Sequence, residues 1–269
     1  DRVDPAAEGR LVHVAGPLAV TGRVRDPDFD VEAPAGAVRL QRAVEMYQWR
    51  ETSRSETQTR TGGGQETVTT TSYERTWSSS AIDSSRFRVP DGHQNPPLRY
   101  AARSFTVDGA TVGAYRLAEA QLGSVGLNEP LQLAAGAAAS PAGGKGVAPS
   151  SGPQIADGRI FVGADPMAPQ IGDMRITFTF ARPQSVSVVA RQVGNGFAAY
   201  QTQAGDAIQM VEAGVKPAAE MFQAAQEHNV VITWLLRFGG ALLMFFGWTM
   251  ILRPIGVAGS DYLLDLTPV

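Results

Sequence analysis

Three carboxylates, Glu45, Asp173 and Asp206, are the residues of this chain whose type suits hydrolysis, one as general acid and one as base or nucleophile. Glu51 follows Glu45 at a spacing of six, which puts both on the same side of an extended strand. Strand periodicity reads such a pair first as surface groups. The histidines are three, His13, His93 and His228, too far apart in sequence to form a local metal motif. Asp26, Asp28 and Asp30 alternate in the segment DPDFD. This is an Asx or β-turn pattern, and the glycine and distal glutamate of a calcium loop are missing. The segment GGKG at 143–146 lacks the spacing and the flanking strand and helix of a phosphate loop. No catalytic, cofactor-binding or metal-ligating set emerges from the residues.

Composition narrows the classes further. A net charge of −3 argues against a nucleic-acid partner and against a polybasic lipid-binding arm. The absence of cysteine excludes disulfides, thiolate zinc sites and thiol nucleophiles.

The elements that must position these groups are strands. Over 37–59 the residues Val38, Leu40, Val44 and Met46 alternate with more polar ones, interrupted by Arg42. Residues 67–77 are again β-branched and aromatic, and a triple glycine lies between, so 37–77 reads as one long antiparallel hairpin. Trp49 and Trp77 are expected to pack at its base. The tip carries Arg54, Glu56, Arg60 and Glu66 among Thr and Ser, both signs of charge, as candidate contacts between identical neighbours. Residues 172–181 alternate strictly and start a β-meander through 186–193, 197–200 and 208–212. Gly16–Pro17 is expected to be a turn. Residues 134–153, rich in Ala, Gly, Ser and Pro, read as a flexible loop.

The C-terminal quarter changes character. Pro217 and Glu220 are helix N-terminal signals. The run 230–252 is apolar apart from Thr233, Arg237 and Thr249, roughly 34 Å long as a helix. It therefore predicts a transmembrane helix, with Trp234, Trp248 and Arg253 as interface anchors and Arg237 as a membrane-embedded charge about 10 Å deep. The expected fold class is α+β: a mostly antiparallel β extramembrane domain, followed by a long helix continuous with the span. The divisions are 1–215 for the β-rich domain, 216–229 for a juxtamembrane helix, 230–252 for the span and 253–269 for the start of a further membrane region. Arg253 beyond the span favours an orientation with the large domain outside the cytoplasm.

Several segments together resemble one family. They are LVHVAGPL at 11–18, DPDF at 26–29, LQRAVEMYQWRE at 40–51, YERTW at 73–77, GHQNP at 92–96, IGDMRITFTF at 171–180 and VVARQ at 188–192. In this order they are similar to the transmembrane protein 43 family, also called LUMA, in a bacterial version. The resemblance implies a span before the large domain and others after it. In animals it implies the endoplasmic reticulum and inner nuclear membrane, with a role in organising protein complexes; in a bacterium, the inner membrane with the large domain in the periplasm. It carries over no catalytic residue. The first functional reading is a non-enzymatic, homo-oligomeric multipass scaffold that organises membrane proteins or lipid. A carboxylate hydrolase and a transporter or channel with Arg237 on its path are the alternatives. Partners expected are membrane lipids, further copies of the chain and other membrane proteins, with no nucleic acid and no cofactor.

Overall fold

The computed structural model describes residues 2–59, 65–127, 129–134 and 153–264. It divides into two units, residues 1–215 and 216–269. In chain order the strands of the first unit are β1 (Leu11–Thr21), β2 (Arg25–Asp26), β3 (Val31–Glu32), β4 (Arg39–Thr59), β5 (Gln65–Ser78), β6 (Arg103–Thr106), β7 (Gly109–Val112), β8 (Tyr115–Leu117) and β9 (Glu129–Leu131). There follow β10 (Gln154–Ala156), β11 (Arg159–Val162), β12 (Met174–Ala181), β13 (Ser185–Val193), β14 (Gly196–Ala198), β15 (Tyr200–Gln201), β16 (Ala207–Ile208) and β17 (Met210–Ala213). A short helix, α1 (Glu119–Gly123), sits among them, and α2 (Ala218–Leu264) is the second unit.

Two sheets organise the strands. One runs β14-β13-β1-β7-β8, with β17 also on β13; the other runs β10-β11-β12-β4-β5, with β6 also on β4 and β9 also on β12. All pairings are antiparallel. The first sheet curls into a barrel-like shape: the N–H of Arg116 in β8, at one end of the strand order, donates at 2.7 Å to the carbonyl of Asn195, just before β14 at the other end. β1 makes this curl possible by changing partner midway. Leu11 to Pro17 face β13, and Leu18 to Thr21 face β7. Gly16–Pro17 is therefore not a turn but the switch inside one strand, a place where a proline lacking its N–H is tolerated.

Alternation is read out as expected in the central strands. Leu40, Val44 and Met46 of β4, with Val38 just before it, are buried, and so are Met174, Ile176, Phe178 and Phe180 of β12. They join Phe29, Leu117, Leu122 and Val188 in one core cluster. β12 and β13 are consecutive yet belong to different sheets, so the short link between them holds the two layers together. At Asp157–Gly158 both residues have positive φ, 52° and 72°, and close the β10–β11 hairpin with a two-residue turn.

The fold class needs correction at the membrane end. The first unit is mostly antiparallel β, but among the described residues no helix is long and apolar enough to cross a membrane, against the expected span at 230–252. α2 is one uninterrupted helix that continues through Pro254. The apolar stretch of α2 is interrupted by Arg237, Gly239, Gly240 and Gly247. The flexible loop expected at 134–153 lies almost wholly outside the described residues.

Candidate functional site

The arrangement most unlike ordinary core is the β4–β5 hairpin and its base. Fourteen rungs pair the strands, from Met46 opposite Ser78 to Thr59 opposite Gln65. The first rungs are aromatic. Tyr47 and Trp77 lie opposite each other with ring centroids 5.2 Å apart. The guanidinium of Arg175 covers Trp77 at 4.6 Å and binds the Glu45 carboxylate at 2.5 Å. Trp49 is not paired with Trp77, because the register sets it opposite Arg75, whose guanidinium lies 5.6 Å from its ring. The expected tryptophan pair is thus one of tyrosine and tryptophan, two residues out of step.

A strap of residues 79–97 is fastened over this base by two side-chain amides, Gln48 buried and Asn95 half-buried. Gln48, fully buried, donates to Ser80 O at 2.8 Å and accepts from Ile82 N–H at 2.9 Å. Asn95 accepts from Trp49 N–H at 2.7 Å and donates to Trp49 O at 3.0 Å. Its side chain stands in for a neighbouring strand on the outer edge of β4. Asn95→Ala should expose one backbone donor and one acceptor and loosen the strap, costing about 1–3 kcal/mol. Thermal unfolding checks it; an unchanged midpoint would show that the strap is held elsewhere.

His93 stacks on Tyr73 at 3.9 Å and meets Trp49 edge-on at 4.8 Å. Its Nδ1 lies 3.1 Å from Val89 O, an acceptor only, so Nδ1 donates. Tyr73 donates its hydroxyl to Glu51 at 2.8 Å and accepts from Val89 N–H at 2.9 Å. Partial burial, and then the Glu51 carboxylate, push the Tyr73 phenol above its ordinary range. The Glu51 carboxylate also accepts from Arg88 N–H, which commits it to holding the strap.

The other expected chemical residues do not converge. Glu45 is tied to Arg175 on the sheet surface. Asp173 accepts from Gln170 N–H at 2.7 Å in the turn before β12, and Asp206 lies exposed between β15 and β16. His13 is on β1 opposite Val189, and the side chain of His228 lies outside the described residues. Among the described residues no group of three His, Asp or Glu could hold a metal ion. Arg54 and Glu56 pair within their own strand at 3.0 Å, both exposed. Arg60 and the side chain of Glu66 lie outside the described residues, as does the side chain of Arg253. On α2, Trp234 and Trp248 are exposed, and Arg237 lies over the Trp234 ring at 5.5 Å.

One buried charge cluster escapes sequence reasoning. Arg42, 3% exposed, donates to both oxygens of the fully buried Asp26 at 3.0 and 2.8 Å and to Asp28 at 2.8 Å. Its Nε donates to Ala101 O at 3.0 Å, and its guanidinium lies 5.2 Å from the Phe29 ring. Asp26 also accepts from Asp28 N–H at 2.9 Å, which makes DPDF the Asx-turn that its sequence suggests. Burial raises the Asp26 carboxyl above its usual value, although the Asp28 N–H and Arg42 pull it down. The signal was present: an arginine on the inward face of an alternating strand must find a carboxylate.

The family model for transmembrane protein 43 matches residues 46–266, from the aromatic base of the hairpin through α2. The chain belongs to the transmembrane protein 43 family. It is 33% identical over 264 residues to transmembrane protein 43 of Rattus norvegicus, covering 93% of this chain and 62% of that protein. The same protein of Homo sapiens is 31% identical over the same shares. A Drosophila melanogaster homolog is 31% identical over 250 residues, 90% of this chain and 62% of the relative. The chain thus spans about three fifths of the length of the curated relatives it matches. No solved structure matches it. The relatives' names mention no enzymatic activity, and the transmembrane protein 43 family is one of membrane proteins.

Proposed function

We propose that this member of the transmembrane protein 43 family is a scaffold that self-associates through its β-rich unit and gathers other membrane proteins or lipid around the assembly. The observation that carries this reading is the hairpin. Past Glu51 and Tyr73 the β4–β5 ribbon continues on side chains that are almost all Ser, Thr, Arg, Glu or Gln, with Val68 the one large apolar residue. Such a ribbon alone is marginal in water and gains most from pairing with another surface. Its hydroxyls already pair rung by rung, which stiffens it without using its outer edges. A membrane setting is supported by the family and by α2, whose Leu235, Leu236, Phe238, Leu243 and Phe245 are exposed and suit contact with lipid.

Two tagged versions of the full chain, expressed together and solubilised gently, should be recovered together on either tag. Recovery of only the tag used for capture would refute self-association. The resemblance further favours a periplasmic β-rich unit. Because the chain has no cysteine, Met167→Cys gives a single thiol at a site that is 90% exposed. It should react with a membrane-impermeant maleimide on intact spheroplasts. Labelling only after lysis would put the unit on the cytoplasmic side.

A further inference from the structure

The base of the hairpin fixes the direction of every backbone group along β4. Tyr47 N–H donates to Asp173 O at 2.8 Å and Gly172 N–H to Tyr47 O at 2.9 Å, both on the side away from β5. Trp49 turns its N–H and C=O the same way, to Asn95. Strand alternation then aims the N–H and C=O of Glu51, Ser53, Ser55 and Thr57 outward. The facing hydroxyls agree: Ser53–Thr71, Ser55–Thr69 and Thr57–Thr67 lie 3.3, 2.9 and 3.2 Å apart, as across the closely spaced rungs that exchange no backbone hydrogen bonds. Among the described residues no backbone group pairs with this edge beyond Trp49. It has no proline, no lysine and no bulge to blunt it.

We propose that this edge, residues 51–59 of β4, is the seam on which two copies join, antiparallel about a two-fold axis at Ser55, into one four-stranded sheet. The proposal rests on the self-association reading above and supplies its geometry. A two-fold seam must be self-complementary, and few registers are. With the axis at Ser55, Arg54 stands opposite the partner's Glu56, and the contact repeats across the axis. Ser55 meets its own copy and Ser53 meets the partner's Thr57, small side chains that allow close approach. The partner strand's Thr59 comes opposite Glu51, two residues short of Trp49, whose groups Asn95 already holds. An axis at Arg54 would set two guanidinium groups face to face, which is unfavourable. An axis at Ser53 would drive the partner's Thr57 into the place of Asn95.

Proline tests the seam with an internal control. Ser55 and Thr69 share one rung, and both point their N–H away from the hairpin, towards opposite edges. Ser55→Pro removes a donor from the seam and leaves the β4–β5 ladder intact. Thr69→Pro does the same on the β5 edge. The dissociation constant of the full chain in mild detergent, from mass measured against concentration, should rise on the order of tenfold or more for Ser55→Pro and stay within about twofold for Thr69→Pro. The reverse pattern would move the seam to β5 and overturn the proposal. No effect of either, while the parent chain still self-associates, would overturn it and leave the scaffold reading standing. A parent chain of single-copy mass at all concentrations would remove both. Should a proline variant fail to fold, the exposed ion pair decides. Glu56→Arg should weaken association, and Arg54→Glu added to it should restore it. Failure to restore would reject the register.

Discussion

Arg42→Met should destabilise the β-rich unit by about 3–5 kcal/mol at neutral pH, the usual consequence of leaving a buried charge without its partner. For a unit of this size that is a fall of roughly 10 °C in melting temperature. The lost groups are specific: two contacts to Asp26, one to Asp28 and one to Ala101 O, all inside a core that also buries Phe29. The pH dependence identifies the cause. Burial already raises the Asp26 carboxyl, and the guanidinium is one of the groups holding it down. Without Arg42 its folded-state value rises further above the unfolded value near 3.8. A carboxyl raised on folding binds more protons folded than unfolded, so stability falls as pH increases through that window. The deficit of Arg42→Met relative to the parent should therefore be smallest below pH about 3.8 and grow as pH rises through the folded value. Denaturant midpoints across pH measure this. A deficit independent of pH would assign the loss to packing rather than to Asp26.

The second large effect concerns assembly. Deleting residues 55–69 and bridging with two glycines should lower the assembly state while the sheets stay folded. The rungs removed carry hydroxyl pairs and one exposed ion pair but no member of the buried core. The base rungs from Tyr47 to Glu51, with the strap and its amides, remain. Surface pairs of this kind are worth at most about 1 kcal/mol each, so the melting temperature should move little. A large loss of stability would mean that the distal ribbon packs on its own unit.

The central sheet was legible because its residues alternate. Met174 to Phe180 and Val38 to Met46 show period two, and the structure buries those faces. The hairpin was legible from two β-prone runs around a triple glycine, and the helix start from Pro217. Three things were not. The continuity of β1 through Gly16–Pro17 depends on a change of partner strand, which no local signal records. The pairing of Trp77 with Tyr47 depends on a register set by β12 and the strap, not by the tryptophans. The span expected at 230–252 rested on apolar length and on flanking Trp and Arg residues, and among the described residues no helix is long and apolar enough to cross a membrane. Other signals were present and unused. Asp157–Gly158 marks a two-residue hairpin that brings β10 into the sheet. Arg42 on an apolar face calls for the acidic turn upstream. The candidate site was the least visible part, since its groups act through backbone direction and edge exposure rather than through residue type.

The mass of the full chain in mild detergent, measured over a range of concentrations beside the chain lacking residues 55–69, tests the central claim most directly. Self-association through the hairpin predicts a parent of at least two copies that dissociates on dilution and a shortened chain of single-copy mass with its β-structure intact. Equal masses for the two chains would contradict it.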